Sequence, residues 1–138
     1  MSDKFSRRRM IAGSAILAGA LALAVPLAAH HSTAMFEWGK ELEMKDVVVE
    51  KWEWTNPHTF LYVRAKDANG VERRWAFEGM SPNHLVRYGW GKNSVAPGEK
   101  VDITYYKLRD DRRGGFNVTI TKPGGKKLFQ FGERGTTQ

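Results

Sequence analysis

Four histidines are the side chains of this 138-residue chain that are best suited to chemistry: His30, His31, His58 and His84. The chain contains no cysteine, which excludes a thiol nucleophile, an iron–sulfur cluster and a disulfide framework. Imidazole is then the best remaining ligand for a soft or borderline metal ion. We therefore predict a metal site formed by His30, His31 and His58, with copper as the candidate ion.

His30 lies where a processed N-terminus would begin. After cleavage behind Ala29, its α-amine and its ring nitrogen could chelate one ion, because an α-amine with a pKa of about 7.7–8.0 is partly neutral near neutral pH. A third nitrogen from His31 or His58 would complete a set that suits Cu(II). The alternative is structural, with the histidine pair on a solvated lead-in and His58 bonded to a turn. His84, on a predicted helix, is interpreted as a surface or packing residue.

Residues 1–29 have the pattern of an export signal. Lys4 and the arginines at 7–9 precede an uncharged, alanine-rich run from Met10 to Ala29, which is typical of a bacterial secretory signal. The arginine run resembles a twin-arginine signal. We predict cleavage after Ala29 and a periplasmic protein. A membrane anchor is the alternative, since 20 residues are long enough to cross a bilayer; only in that case would we expect membrane contact.

The positive charge of the chain belongs partly to this leader. The formal net charge is +7 for the whole chain, and the leader carries four basic residues and one acidic residue, so cleavage would leave +4. A periplasmic protein does not meet the nucleic acid of the cell, so we expect no nucleic-acid partner. The remaining residues, 30–138, have the length of a single domain.

The patterning after the leader is that of a small β protein. After an extended lead-in over 30–43, it predicts strands at about 44–54, 59–65, 71–78, 101–106, 116–121 and 126–131. One short helix is predicted between the third and fourth strands, with Ser81 as N-cap, Pro82 in the first turn and Gly89 as the stop. This order predicts an all-β, OB-fold-like Greek-key barrel of five to six strands. A small sandwich is the alternative.

The fifth predicted strand has the clearest alternation. Phe116, Val118 and Ile120 alternate with Asn117 and two threonines. This pattern predicts a half-buried strand with its polar side chains facing the solvent.

Tryptophans form a second candidate site. Trp52 and Trp54 have the same parity on the first predicted strand and therefore face the same side. Together with Asn56 and Trp90 they could form a stacking surface for a sugar, a quinone or a peptide. The alternative is that these indoles fill the core and rim of a small domain, which needs large buried side chains.

Motifs of catalysis are not recognisable. The sequence has no Gly-x-Ser-x-Gly elbow, no phosphate loop and no Ser, His and Asp set that stands out. We therefore predict no catalytic residue and a protein that is not an enzyme.

Several segments resemble a known family. The segments are His30-His31-Ser32, Trp54-Thr55-Asn56-Pro57-His58, Ser81-Pro82-Asn83, Gly89-Trp90 and Pro97-Gly98. They resemble DUF6152, a family of exported bacterial proteins of unknown function. The resemblance implies a small, exported, β-rich domain and carries no activity, ligand or site residue with it.

These observations predict an exported periplasmic binding or accessory protein, with copper as the candidate ligand of its histidines. The alternative is a non-catalytic partner subunit of a periplasmic or membrane-bound oxidoreductase that uses a Trp-rich surface. The charged segment from Lys107 to Arg113 is interpreted as a solvated turn, with docking to an acidic partner or to the inner-membrane surface as the alternative.

Overall fold

The computed structural model describes residues 33–131. The predicted leader and the histidine pair at 30 and 31 lie outside these residues. Among the described residues, no helix is both long enough and apolar enough to span a membrane. The elements are β1 (Phe36–Glu53), β2 (Phe60–Lys66), β3 (Glu72–Glu78), α1 (Pro82–Leu85, continued by a 3₁₀ turn over Val86–Tyr88), β4 (Lys100–Leu108), β5 (Gly114–Thr121) and β6 (Lys127–Phe129).

Five strands close into a barrel. β1 pairs antiparallel with β2 and β4, β2 pairs with β3, and β4 pairs with β5. A parallel pairing of β3 with β5, from Ala76–Gly114 to Glu78–Phe116, closes the ring, and β6 pairs with β5 outside it. The predicted OB-fold-like barrel is thus confirmed, with its helix between strands three and four.

Two adjacent glycines allow β5 to approach both of its neighbours in the ring, β3 and β4. A Cβ at Gly114 would overlap the carbonyl oxygen of Ala76, and a Cβ at Gly115 would overlap that of Tyr106. Backbones can approach this closely only where no side chain stands between them. Gly114 also has a φ of 150°.

β1 is longer than predicted. It begins at Phe36 rather than near residue 44, so the predicted lead-in is wrong over most of its length. Most side chains in this first half are exposed. The sequence does carry a strand signal here, because Phe36, Trp38, Leu42 and Met44 occupy alternate positions that are interrupted at Lys40. The strand is bent at Asp46, which has a φ of 52° and whose N–H donates to Asp102 Oδ1 at 2.9 Å. Before this bend β1 pairs with β4, and after it mainly with β2.

The short helix is bounded at both ends by the predicted residues. Ser81 precedes it in an extended conformation, and its Oγ accepts a hydrogen bond from the His84 N–H at 3.3 Å. Pro82 occupies the first turn, and Gly89 ends the 3₁₀ turn with a φ of 78°. Leu85 is fully buried in the barrel core, so the helix contributes a side chain to the interior.

β5 differs from its predicted half-buried pattern. Asn117 is buried rather than facing the solvent. The register of β4 and β5 shifts between Thr104 and Tyr105, where Val118 is the extra residue. Such a bulge reverses the inside–outside alternation, so Asn117 is aligned with the core residue Tyr105.

A buried pair of amide side chains ties the residue after β6 to the segment that precedes α1. Gln130, which is fully buried, donates from Nε2 to Asn117 Oδ1 at 3.1 Å. Its Oε1 accepts the Met80 N–H at 2.9 Å. The segment between β3 and α1 is thereby tied to the residue that follows β6. We call this contact region, formed by Gly79, Met80 and Gln130, the junction.

Candidate functional site

The loop between β1 and β2 carries His58 beside the junction. The next residue, Thr59, is fully buried and donates from Oγ1 to the Met80 carbonyl oxygen at 2.9 Å. The Gly79 N–H donates to the Thr59 carbonyl oxygen at 2.8 Å. These two bonds fix the backbone of the loop against the chain that leaves β3, and they determine where His58 stands.

The hydrogen bonds of His58 determine its tautomer. Nδ1 lies 3.1 Å from the Gly79 carbonyl oxygen and 3.0 Å from Glu78 Oε1. A carbonyl oxygen can only accept, so the neutral ring carries its proton on Nδ1 and donates it to this pair of oxygens. Nε2 then holds the free lone pair. It has no hydrogen-bond partner within residues 33–131, and the side chain is 37% exposed.

Glu78 is the orienting partner of this ring. It is the last residue of β3, aligned with Phe60 of β2, and only 17% of its side chain is exposed. Burial raises the pKa of the Glu78 carboxyl, and the charge of His58 acts in the opposite direction. A carboxylate that accepts from one ring nitrogen fixes the orientation of the ring and makes the other nitrogen a better ligand.

Gly79 leaves no space for a side chain. A Cβ there would lie 2.6 Å from Thr59 Oγ1 and 2.9 Å from Gln130 Nε2. Both neighbours are fully buried, so neither can move aside easily. The absence of a side chain at Gly79 therefore allows the loop between β1 and β2, the chain that leaves β3, and Gln130 after β6 to meet at one point.

The chemistry available at this point is that of a single oriented imidazole. Nε2 of His58 can bind a metal ion or accept a proton. Within residues 33–131, no three His, Asp or Glu side chains are grouped closely enough to hold a metal ion. Any further ligands of the predicted site are the histidines at 30 and 31, outside the described residues.

His84 lies on the other side of the junction and does not join His58. Its Nε2 is 2.8 Å from the carbonyl oxygen of Gln130, so this nitrogen carries the proton. The ring contacts Tyr88, with centroids 5.0 Å apart, and Phe131, at 6.1 Å. No carboxylate orients it among the ion pairs of residues 33–131. The interpretation of His84 as a packing residue fits these contacts.

The three indoles of the predicted tryptophan site are in contact with one another and pack in or against the core. Trp52 lies between Trp54 and Trp90, with centroids 5.9 and 5.6 Å apart. The Trp52 indole N–H donates to the Gly91 carbonyl oxygen at 3.2 Å. The Trp90 indole N–H donates to the Phe129 carbonyl oxygen at 2.9 Å. Trp90 is only 3% exposed, so these two indoles act chiefly in packing.

Asn56 is the exposed member of that predicted set. It precedes Pro57 through a cis peptide bond and lies two residues before His58. Trp54, partly buried against the core, precedes Asn56 by the same interval. Of the predicted set, Trp54 and Asn56 are therefore the members nearest in sequence to His58, and Asn56 is the one that is open to solvent.

A separate hollow of about 540 Å³ lies near the bend of β1. Its lining includes Lys45, Arg64, Lys66 and Lys100, together with Glu72. Arg64 pairs with Glu72 at 3.6 Å, and the four cations are exposed. The hollow shares no residue with the His58 site, and among the described residues no buried side-chain polar atom lacks a hydrogen-bond partner that a ligand there could supply.

The role of Glu78 was not recognisable in the sequence. In the sequence, Glu78 is one of several polar residues on one face of a predicted strand. The informative signal is the register that aligns it with Phe60, two residues after His58, and register depends on the assembled sheet. The buried partners Thr59 and Gln130 were missed for the same reason.

Comparison with known proteins gives a family and no activity. No curated protein and no solved structure matches the chain significantly. The model of a family of unknown function, DUF6152, matches residues 18–117. This match spans most of the chain and includes both the His58 loop and Glu78, so the chain belongs to the DUF6152 family.

Proposed function

We propose that this chain is an exported periplasmic binding protein that holds a copper ion through His58, His30 and His31. The observation that carries the proposal is the Nδ1 contact of His58 with Glu78 and Gly79, which leaves the Nε2 lone pair available in a partly exposed side chain. Metal-binding histidines commonly donate their other ring N–H to a carboxylate or to a backbone carbonyl, and His58 has both kinds of partner.

The remaining ligands are assigned to the new N-terminus. Cleavage after Ala29 would give His30 an α-amine and a ring nitrogen in one chelate, with His31 beside it. Together with His58 these groups would supply four nitrogen ligands, a number that suits a tetragonal Cu(II) site, and Cu(II) is the strongest binder of the divalent first-row ions. Nothing in the proposal requires catalysis, and the protein would act as a carrier or an accessory module.

The alternative, a non-catalytic partner subunit of an oxidoreductase, has weaker support at its predicted surface. Trp52 and Trp90 use their indole N–H groups inside the molecule. A docking role for that surface would therefore depend on Trp54 and Asn56. Affinity capture from native membranes with a Trp54→Ala protein as control tests it.

Copper titration of the processed protein tests the main proposal. Isothermal titration with Cu(II) should give one site in the wild type. His58→Ala should weaken binding by about 100-fold or more, because loss of even an outer-shell partner costs roughly 10–100-fold. Glu78→Gln should weaken it by about tenfold, since the orienting carboxylate is lost while Nε2 remains.

His84→Ala is the matched control. It removes a histidine whose Nε2 is already bonded to Gln130, so copper affinity should stay at the wild-type value. Thermal unfolding of each variant checks that the barrel is intact. Wild-type affinity in a folded His58→Ala protein would refute the role of His58. A His30→Ala protein with unchanged affinity would refute the role of the N-terminus.

A further inference from the structure

A second feature of the molecule is a continuous series of aromatic side chains near the start of β1 and the end of the described chain. We call it the aromatic surface; its rings are Tyr106, Trp38, Phe36, Phe116, Phe131, His84 and Tyr88. Neighbouring rings in this series are in contact, with centroid distances between 5.0 and 6.1 Å. It joins β1, β4, β5, the chain after β6 and the helix.

The aromatic surface is partly open to solvent. Trp38 is 39% exposed, Tyr88 40% and Phe131 46%, while Phe36 and Phe116 beneath them are buried. The rings are connected through their contacts, and a contiguous apolar patch of this kind is a candidate site of contact with another surface. Val71, which is 44% exposed, belongs to the distant β2–β3 turn and serves below as a control.

Positive charge borders the aromatic surface. Arg109 and Arg113 lie in the exposed loop that follows β4, the strand that carries Tyr106, and Arg87 precedes Tyr88. Within residues 33–131 these three arginines have no ion-pair partner. The two aspartates of the loop are already bonded, Asp110 to Arg112 and Asp111 to Lys107. Lys107 also pairs with Glu37 at 3.5 Å, so two carboxylates share one ammonium there. The three arginines outnumber this excess carboxylate, and the charge at the border is therefore positive.

We propose that the aromatic surface docks on an anionic phospholipid bilayer. Tryptophan and tyrosine favour the headgroup level, where the ring contacts the acyl boundary and its polar edge stays hydrated. Unpaired arginines bind lipid phosphates, and their attraction decreases with salt. The contact would persist after cleavage at Ala29, since it depends on Trp38, Phe131 and the arginines rather than on the leader. It is independent of copper binding.

Vesicle co-sedimentation of the processed protein tests this proposal. Vesicles of equal parts phosphatidylcholine and phosphatidylglycerol should bind the wild type, and vesicles of phosphatidylcholine alone should bind it much more weakly. Arg109→Gln and Arg113→Gln should each weaken binding about fivefold at low salt. Phe131→Ser removes a partly exposed apolar ring from the contact. It should weaken vesicle binding about as much as the loss of one arginine does.

Val71→Ser is the matched control, because it removes an exposed apolar side chain from the β2–β3 turn. It should leave binding unchanged. Circular dichroism of each variant verifies folding. The proposal is overturned by equal binding to the two kinds of vesicle, by equal losses in Val71→Ser and Phe131→Ser, or by capture of a protein partner without any vesicle binding.

Discussion

The junction and the β2–β3 turn use the same hydrogen-bond chemistry in opposite surroundings. At the junction, Gln130 Oε1 accepts the N–H of Met80 at 2.9 Å, inside the protein. In the turn, Asp67 Oδ1 accepts the N–H groups of Asn69 and Val71 at 2.9 and 3.0 Å, at the surface. In both places a side-chain oxygen accepts from a backbone N–H. At the junction the partner lies 50 residues away in sequence, whereas in the turn both donors belong to the same turn as Asp67.

The difference lies in what replaces a lost bond. Water can solvate the donors of the turn, whereas a buried donor at the junction would stay without a partner, at a cost of about 1–3 kcal/mol. His58 and His84 both bond to junction carbonyls, those of Gly79 and Gln130. The junction therefore fixes both histidines, while the turn only closes a hairpin.

The largest effect is expected for Gly79→Ala. The added Cβ would overlap Thr59 Oγ1 and Gln130 Nε2, and we expect a loss of about 3 kcal/mol in the free energy of unfolding, as for overpacked sites. Chemical denaturation measures it. Gly39→Ala is the control, because a Cβ there meets nothing within 4 Å. Similar losses in both variants would contradict the tight fit described for the junction.

A smaller effect is expected for Gln130→Ala. The change leaves the Met80 N–H and Asn117 Oδ1 without their partner, which should cost about 2 kcal/mol. Asn93→Ala, at an exposed amide, should be nearly neutral. If denaturation shows equal stability for the two variants, burial does not distinguish the junction from the surface, and the comparison fails.

The smallest effect is expected for Asp67→Asn, and it should depend on pH. The backbone N–H of Val71 lowers the pKa of Asp67, with support from Asn69 and Arg73. A carboxyl whose pKa is lower in the folded state than in the unfolded state stabilises the fold. This stabilisation is present at a pH above the unfolded-state pKa of about 3.9, and it is lost as the pH falls through the folded-state pKa. The wild type should exceed the variant in thermal stability at neutral pH, and the two should converge in acid. A difference that persists below both pKa values would contradict this origin.

The sequence predicted the local features and the strand order. Ser81, Pro82 and Gly89 are recognisable because a cap depends on residues within one turn of each other. The barrel follows from the order of its strands and the helix between them. The bulge at Val118 is not predictable in this way, because it depends on how β5 is aligned with β4.

The candidate site was predicted only in part. His58 stood out by residue type, since no cysteine competes with it as a ligand. Its partners Glu78 and Gly79 lie about 20 residues away in sequence and reach it only through strand register. Copper binding by His30, His31 and His58, and ligand binding by Trp54, remain predictions.

The parallel closure between β3 and β5 has a consequence for folding kinetics. The paired residues, such as Ala76 and Gly114, are about 40 residues apart in sequence, whereas the β2–β3 hairpin closes over a short turn. Contacts at long separation cost more loop-closure entropy before they give any stabilisation. We expect the hairpin to form early and the ring to close late, with the absence of a side chain at Gly114 allowing β5 to approach Ala76 of β3 in that last step.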